Sequence, residues 1–218
     1  MPNWAENRLI VKGKPEKIKE FDRRFKGRPA LWPLQEFEKH GKSEKEIAEL
    51  ELNRKREWEK QKPVYCFNAL YPVPKEVLKI GYSVQDSRPL QEKLNDLCNP
   101  EKWWDGYSWC ISHWGTKWDI DGSVEKTYEE EGLVEYYFDT AWVPPCKWVK
   151  KVGEDWSDLK FELIFCEIGQ GFAGRFAVEN GKVVENFFTE DREQMHRFVM
   201  ENMGFDPYAD FDEPEVNS

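Results

Sequence analysis

Tryptophan and aspartate residues cluster in the second half of this sequence, and together these side chains can bind a polar ligand that carries a flat ring. Indole rings stack on flat molecules, while carboxylates and indole N–H groups orient polar atoms. A lysine, arginine or histidine nearby can contact a phosphate or a carboxylate. The candidate binding residues are Trp109, His113, Trp114, Lys117, Trp118, Asp119, Asp139, Trp142 and Arg175.

The same residues allow a second interpretation, in which they are a structural cluster. Indole N–H groups and aspartate oxygens can satisfy one another at the end of a strand, and buried polar groups need such partners. Catalysis is the third interpretation. It would be hydrolysis of a nucleotide-like substrate by Asp119 and Asp139 with help from His113.

Metal and nucleophile chemistry has little support in the spacing of the residues. A metal site needs several ligands close together, and no histidine has a second histidine or a cysteine at ligand spacing. Asp119, Asp121 and Gly122 match the opening of a calcium loop, but the later ligands are missing. Cys110 and His113 are three residues apart, with nothing to orient the histidine. We therefore predict no metal, no cofactor and no enzymatic activity.

The glycine-rich stretch at residues 169–174, GQGFAG, resembles a dinucleotide-binding loop only in composition. It follows a predicted strand and leads into another strand, so no helix N-terminus is available for a phosphate. A tight turn with a bulge is the better interpretation, because glycine permits positive φ and close backbone approach.

The composition of the 218 residues constrains the partners. The net charge of −10 argues against a protein that binds nucleic acid through its phosphates. Eleven tryptophans in a chain of only 39% hydrophobic residues indicate that large rings supply much of the core. Five scattered cysteines without a CxxC pair indicate free thiols. With no signal segment and no long apolar run, we expect no membrane contact and a location in the host cell cytoplasm.

The hydrophobic pattern predicts an α+β fold. A strand over residues 7–12 and a helix from Pro15 are followed by strands at 116–121 and 133–140, a helix opened by Pro144 and Pro145 and ended by Gly153, and a strand at 159–166. This βαββαβ order predicts a ferredoxin-like core, an antiparallel sheet with helices on one face. A hairpin over 171–188, turning at 179–181, and a helix capped by Thr189 complete residues 1–204 as one domain.

A helical insertion over about residues 28–114 interrupts this core. Ser43 and Glu46 form a capping box that starts a charged helix reaching Lys62. Residues 65–71 are predicted extended, and shorter helices are predicted at 89–98 and 103–114. The exposed helix at 43–62 suggests a further alternative, a structural protein that oligomerises through it, although the sequence does not fix the oligomeric state. Residues 205–218 hold acids and no base, which predicts a flexible tail.

Five stretches together resemble a known family. They are residues 2–7 (PNWAEN), 67–74 (FNALYPVP), 114–119 (WGTKWD), 138–145 (FDTAWVPP) and 169–174 (GQGFAG). The chain up to about Arg175 is similar to phage and conjugative-plasmid proteins with a YubB-type ferredoxin-like domain, whose function is unknown. This resemblance implies a ferredoxin-like fold and an origin in a mobile element, with no assigned activity. Together with the cluster of tryptophan and aspartate residues, it favours a non-catalytic accessory protein that binds a host protein or a small nucleotide-like ligand, with counter-defence as the context.

Overall fold

The computed structural model describes residues 3–83, 105–120, 122 and 124–209. Its centre is a six-stranded antiparallel sheet in the order β4-β5-β1-β6-β7-β8. The strands are β1 Trp4–Lys12, β4 Glu125–Glu130, β5 Leu133–Ala141, β6 Lys160–Glu167, β7 Phe172–Glu179 and β8 Lys182–Thr189. The described helices that pack on this sheet include α1 Pro15–Phe25, α7 Cys146–Asp155 and α8 Arg192–Asn202.

The elements β1, α1, β4, β5, α7 and β6 form the ferredoxin-like core, which confirms the predicted fold class. Their order along the chain is βαββαβ, and their order in the sheet is β4-β5-β1-β6. β5 and β6 therefore run parallel on either side of β1, joined by the crossover through α7. β7 and β8 add two strands to the β6 side of this core.

Most of the hydrophobic core lies between the sheet and the two crossover helices. Phe21 and Phe25 of α1 meet Trp148 of α7 and Tyr136 of β5 there, with the rings of Phe25 and Trp148 5.2 Å apart. Tilted and edge-to-face ring contacts of this kind add about 0.5–1.5 kcal/mol per pair to the free energy of burial. The prediction that large rings fill the core is confirmed.

The opposite face of the sheet has a smaller apolar cluster under α8. Met195 and Val199 of this helix pack on Ile10, Ile164 and Cys166 of the central strands. Because successive strand residues point to opposite faces, Ile10 belongs to this cluster while its neighbours Leu9 and Val11 belong to the main core. The helix α8 thus lies on the opposite face of the sheet from α1 and α7.

The segment between α1 and β4 is mostly helical where it is described. It contains α2 Glu36–Lys39, α3 Glu44–Lys60, α4 Phe67–Leu70, α5 Lys75–Ile80 and α6 Gly106–His113, with a two-stranded ladder of β2 Lys26–Gly27 and β3 Val64–Tyr65. The capping box of α3 is confirmed, since the Ser43 N–H donates to Glu46 Oε2 at 2.7 Å. The predicted helix at 89–98 and residues 210–218 of the predicted tail lie outside the described residues. Residues 205–209 of that tail are described, and Phe205 and Tyr208 pack against the apolar cluster under α8.

Asp22 on α1 connects this segment to the core. Its Oδ1 accepts hydrogen bonds from the hydroxyls of Tyr65 and Tyr136, at 2.7 and 2.8 Å. Lys126 of β4 and Lys26 place their ammonium groups 3.4 and 3.5 Å from Oδ2. One carboxylate therefore joins α1, β3, β4 and β5.

Two segments that were predicted to be strands have a different structure. Residues 116–120 are a loop rather than a strand, because Thr116 donates its hydroxyl to the Ala141 carbonyl and Asp119 accepts backbone N–H groups. The strand next to β5 is instead Glu125–Glu130. Residues 65–71 are not extended throughout, since only Val64–Tyr65 pair with β2 and Phe67–Leu70 form a helical turn.

Two helix ends also differ from the prediction. α7 continues past Gly153 to Asp155, and a Cβ at Gly153 would lie 2.5 Å from Val178 Cγ1. This glycine therefore serves helix–sheet packing rather than helix termination. The N-cap of α8 is Asp191, whose carboxylate accepts the Gln194 N–H, while Thr189 supports Asp191 from outside the helix. The predicted turn at 179–181 is confirmed, with φ of +52° at Asn180 and +70° at Gly181.

Candidate functional site

Two of the predicted site residues, Trp109 and Trp114, are buried at α6 and its C-terminal end, and His113 is half-buried beside them. Trp109 and Trp114 are each 1% exposed, and the Trp114 indole N–H donates to the Tyr71 carbonyl at 3.0 Å. His113 stacks on Trp109 at 4.4 Å, with its Nδ1 3.0 Å from the Trp109 carbonyl oxygen. Burial lowers the pKa of His113, which keeps its ring neutral at pH 7. These side chains match the structural-cluster interpretation.

Asp119 is a helix cap supplied from outside the helix. Its Oδ1 accepts the N–H groups of Phe67 and Ile120 at 2.6 and 2.8 Å, and its Oδ2 accepts that of Asn68 at 3.2 Å. Burial raises the pKa of Asp119 to about 6, and the three hydrogen bonds oppose this rise. A carboxylate at the first turn of α4 satisfies backbone donors that would otherwise lack partners.

Asp139 and Arg175 lie on the face of the sheet that α8 covers in part. Asp139 is exposed and sits opposite Glu6 in the β1–β5 ladder. The surrounding protein partly shields both carboxyls from water, which raises the pKa of each, and the charge of Asp139 raises the pKa of Glu6 further. Arg175 is held by Glu162 at 3.0 Å, by Glu185 at 3.7 Å and by the Asn202 side chain. Asp119 packs on the other face of the sheet, so the two aspartates do not meet.

The remaining predicted residues, Lys117, Trp118 and Trp142, lie at the surface where β5 ends. The Lys117 ammonium is 4.1 Å from the centre of the Trp142 ring, a cation–π distance. Trp142 is 37% exposed, and its backbone N–H donates to the Asn3 carbonyl at 2.9 Å. Trp118 meets Trp4 edge-on at 6.4 Å. We call Trp4, Lys117, Trp118, Trp142 and Val143 the Trp142 surface.

Trp142 has an unusual backbone conformation for its side chain. Its φ is +72°, in the left-handed region that favours glycine. Among the described residues the other non-glycine position with positive φ is Asn180, an amino acid that tolerates the conformation in a hairpin turn. A bulky side chain held there costs about 1–3 kcal/mol, and such strain concentrates at functional sites. The fold keeps an exposed indole at this position against that cost.

A cleft beside Trp118 was not predicted as such. It has a volume of about 370 Å³ and is lined by Pro29, Ala30, Trp32, Trp118, Asp119 and Ile120. The Trp118 indole nitrogen is buried and has no hydrogen-bond partner among the described residues. Trp32 and Trp4 were not among the predicted site residues, although Trp4 stands within the PNWAEN stretch. The available signal was the residue type itself, since both are tryptophans in a chain with eleven of them.

A wider groove of about 520 Å³ lies on the α8 face, lined by residues that include Arg8, Tyr137, Glu135 and Asn202. Arg8 is already bound, since its guanidinium contacts Glu135 at 2.8 Å and donates to the Asn202 carbonyl at 2.6 Å. The groove therefore offers a ligand no free guanidinium from this arginine.

Metal ligation needs several ligating side chains close together, membrane insertion needs a long apolar helix, and thiol chemistry needs a cysteine that ionises at neutral pH. Within residues 3–83, 105–120, 122 and 124–209, no three histidine, cysteine, aspartate or glutamate side chains come together as metal ligands. No helix in these ranges has both the length and the apolar character needed to cross a membrane. Cys110 is buried, and burial raises the pKa of its thiol, so it lacks thiolate character at neutral pH.

Comparison with known proteins gives one family model. Residues 113–206 match the model described as the ferredoxin-like domain in Api92-like protein. No curated protein matches the chain. Among solved structures, the crystal structure of protein Api92 from Yersinia pseudotuberculosis covers 85% of this chain and 97% of its own, at 10% identity and a TM-score of 0.46. The matched residues hold β4 to β8 with α7 and α8, and they are similar to the ferredoxin-like domain of a family whose function is unknown.

Proposed function

We propose that this protein is a non-catalytic accessory protein of a phage or conjugative plasmid, and that it binds a host protein through the Trp142 surface. The observation that carries the proposal is Trp142 itself, an exposed indole kept at a positive φ under a lysine. The mobile-element origin rests on the sequence resemblance described above. Counter-defence is the role that this origin suggests.

The chemistry of the Trp142 surface favours a protein partner. Interfaces enrich tryptophan and place their binding energy in a few aromatic anchors with a polar rim. Here the Trp142 ring and the Val143 side chain are both 37% exposed, and Lys117 supplies the cation beside them. The complementary surface would offer an apolar recess for the indole and an acidic side chain for Lys117.

The test uses Trp142→Gly, which removes the indole and also relieves the backbone strain. Because glycine adopts the φ of +72° found at this position without steric cost, the variant keeps its fold. Immobilised wild-type protein should retain a host protein from bacterial lysate, and immobilised Trp142→Gly should retain at least tenfold less of the same protein. Asn180→Gly is the matched control, since it relieves the other positive φ without removing a ring, and it should bind as wild type does. Equal retention by Trp142→Gly and wild type would refute the proposal.

A small nucleotide-like ligand is the second candidate, and the cleft between Trp32 and Trp118 favours it. Two indoles could stack on a base, and the buried Trp118 N–H, which has no hydrogen-bond partner among the described residues, would gain one from a ligand that reaches it. Titration calorimetry with adenine and cyclic nucleotides tests this candidate directly. Trp118→Phe keeps a ring but removes the donor, so it should weaken any binding, whereas binding that is unchanged in this variant would place the ligand elsewhere.

The hydrolase and helix-mediated oligomer alternatives have less support. A hydrolase would need Asp119, Asp139 and His113 in one site, whereas Asp119 caps α4 and Asp139 lies on the opposite face of the sheet. The helix α3 has no buried residue, but its Trp58 already donates to the Pro29 carbonyl and stacks under Arg28. Neither arrangement supplies a specific observation in favour of these roles.

A further inference from the structure

The strand β8 forms one edge of the sheet and is unusually apolar for that position. Within the described residues it pairs with β7 alone, so its other side presents unpaired backbone N–H and C=O groups. Val184 is 58% exposed and Phe188 is 53% exposed, with Val183 and Phe187 also exposed. Soluble proteins normally protect such an edge with charges or proline, because it is a template for another strand. β8 has no proline, and its charged residues are Lys182 and Glu185.

Both aromatic rings of β8 are held in place by this chain. Phe187 lies 5.2 Å from Phe198 of α8 on one face of the sheet, and Phe188 lies 5.4 Å from Phe172 on the other. Glu185 is neutralised by Arg175 at 3.7 Å. The edge is therefore ordered before any partner arrives, which lowers the entropic cost of binding.

We propose that β8 pairs with β8 of a second copy of this chain, and that the two sheets join into one across a two-fold axis at Asn186. Antiparallel pairing about Asn186 sets Val184 of one copy opposite Phe188 of the other. It also sets Lys182 opposite Glu190, so opposite charges meet at both ends of the seam. An isologous interface requires this kind of self-complementary strand.

Two other registers of the β8–β8 pair, each shifted by one residue, are less favourable than the register centred on Asn186. An axis through Glu185 would place two glutamates directly opposite each other, where like charges repel. An axis through Phe187 would place Val184 opposite Glu190 and leave Lys182 without an acidic partner, whereas the axis at Asn186 places Glu185 opposite Phe187 but pairs Lys182 with Glu190. The register shift in the β7–β8 ladder leaves Val184 without a partner on β7, so this residue lies towards one end of the proposed seam in each copy, while Glu185–Thr189 pair regularly with β7.

A partner peptide of other origin fits this edge less well than a second copy does. When β8 pairs with its own reverse about Asn186, Lys182 meets Glu190 and Val184 meets Phe188, so a second copy already supplies the complementary side chains. One strand seam buries less surface than a permanent dimer, so the association should be reversible and depend on concentration.

Sedimentation velocity on the full chain over a hundredfold range of concentration tests the proposal. The wild type should shift from one chain toward two as concentration rises. Val184→Lys places a charge on the most exposed apolar residue of the edge and should weaken dimerisation at least tenfold. Tyr128→Lys is the matched control at the other edge, where Tyr128 is 46% exposed, and it should dimerise as wild type does.

A cysteine at the proposed axis gives a second readout. Asn186→Cys would bring two thiols together across the two-fold, within the Cα separation that a disulfide needs. Under mild oxidation this variant should form a covalent dimer, whereas Tyr128→Cys should not. A wild type that stays a single chain at every concentration, or a dimer that Val184→Lys leaves intact, would overturn the proposal.

Discussion

The two edges of the sheet, β4 and β8, differ in how their exposed sides are built. Every residue of β4 is exposed, and four of its six residues, Glu125, Lys126, Glu129 and Glu130, are charged. Lys126 is bound to Asp22 and Glu129, and the β4–β5 ladder has a bulge beside it. Charges and bulges are the usual protection of an edge strand. β8 also has a register shift, but its exposed side is mainly valine and phenylalanine.

This difference corresponds to the origin of the two strands within the fold. β4 belongs to the ferredoxin-like βαββαβ core, where it is an edge by topology. β8 belongs to the hairpin that extends the core beyond β6, so the hairpin replaces one core edge with a new one. An added edge strand that is apolar and ordered is typical of a strand that pairs with a partner. A charged edge strand is typical of one that is protected from such pairing.

The largest effect on stability is expected from Gly174→Val, which disrupts the packing of β8 against β7. A Cβ at Gly174 would lie 2.6 Å from Phe165 Cζ and closer still to the Phe187 carbonyl oxygen, so β7 and β8 would be pushed apart. Overpacking of this kind costs about 3 kcal/mol. For a chain of this size the melting temperature should fall by roughly 6–12 °C.

Thr127→Val is the matched change on β4. Thr127 is exposed and is already β-branched. The free energy of unfolding should therefore change by less than about 0.5 kcal/mol. Thermal unfolding followed by circular dichroism measures both variants. Equal shifts in the two melting temperatures would show that β8 is not attached through the close approach at Gly174.

The asymmetry of the edges also explains which elements the sequence could predict. The strands β1, β5, β6 and β7 bury one or both faces and show it in their hydrophobic pattern, and the capping box at Ser43 and Glu46 is a local signal. β4 has the sequence EKTYEE, and a strand exposed on both faces has no apolar alternation to detect. The strand prediction fell instead on residues 116–121, where Trp118 and Ile120 are two residues apart as in a half-buried strand.

The candidate site was harder to predict because its members depend on distant contacts. Asp119 caps a helix that begins some fifty residues earlier, and Trp114 donates to Tyr71, so neither role is visible in the local spacing. The composition correctly indicated aromatic packing, but it could not separate the buried indoles of Trp109 and Trp114 from the exposed indole of Trp142. Burial is decided by which elements pack together, and sequence spacing reports only one element at a time.

A smaller loss of stability is expected from Asp22→Asn, which removes the charge that anchors the β4 edge. Burial of the carboxyl raises its pKa, but the hydrogen bonds from Tyr65 and Tyr136 and the charges of Lys126 and Lys26 together lower the pKa of Asp22 below 3.8. Hydrogen bonds to a charged group contribute about 1.5–3 kcal/mol, and asparagine keeps part of this, so we expect a loss of about 2 kcal/mol at pH 7.

The direction of the pKa shift of Asp22 determines how this loss of stability depends on pH. A folded-state pKa below the unfolded value gives stability that is fully present above about pH 4 and disappears as the pH falls through the folded pKa. Denaturant unfolding of wild type and Asp22→Asn should therefore differ at pH 7 and converge toward pH 2. Asp155→Asn breaks the exposed pair with Lys151. This control should cost less than about 0.5 kcal/mol at either pH. A pH-independent difference for Asp22→Asn would mean that shape rather than charge anchors β4.

The smallest change in stability, but a large change in assembly, is expected when charged residues of β4 are replaced by apolar residues like those of β8. The double variant Glu129→Val and Glu130→Val removes two exposed charges. Its free energy of unfolding should stay within about 0.5 kcal/mol of wild type. A chain with an apolar strand at both edges can add copies at each side, so light scattering should detect species larger than a dimer. Adding Val184→Lys to this variant should limit assembly to pairs joined through β4. If the double variant keeps the size of the wild type, then apolar composition is not what distinguishes the two edges, and the backbone geometry of β8 must account for its pairing instead.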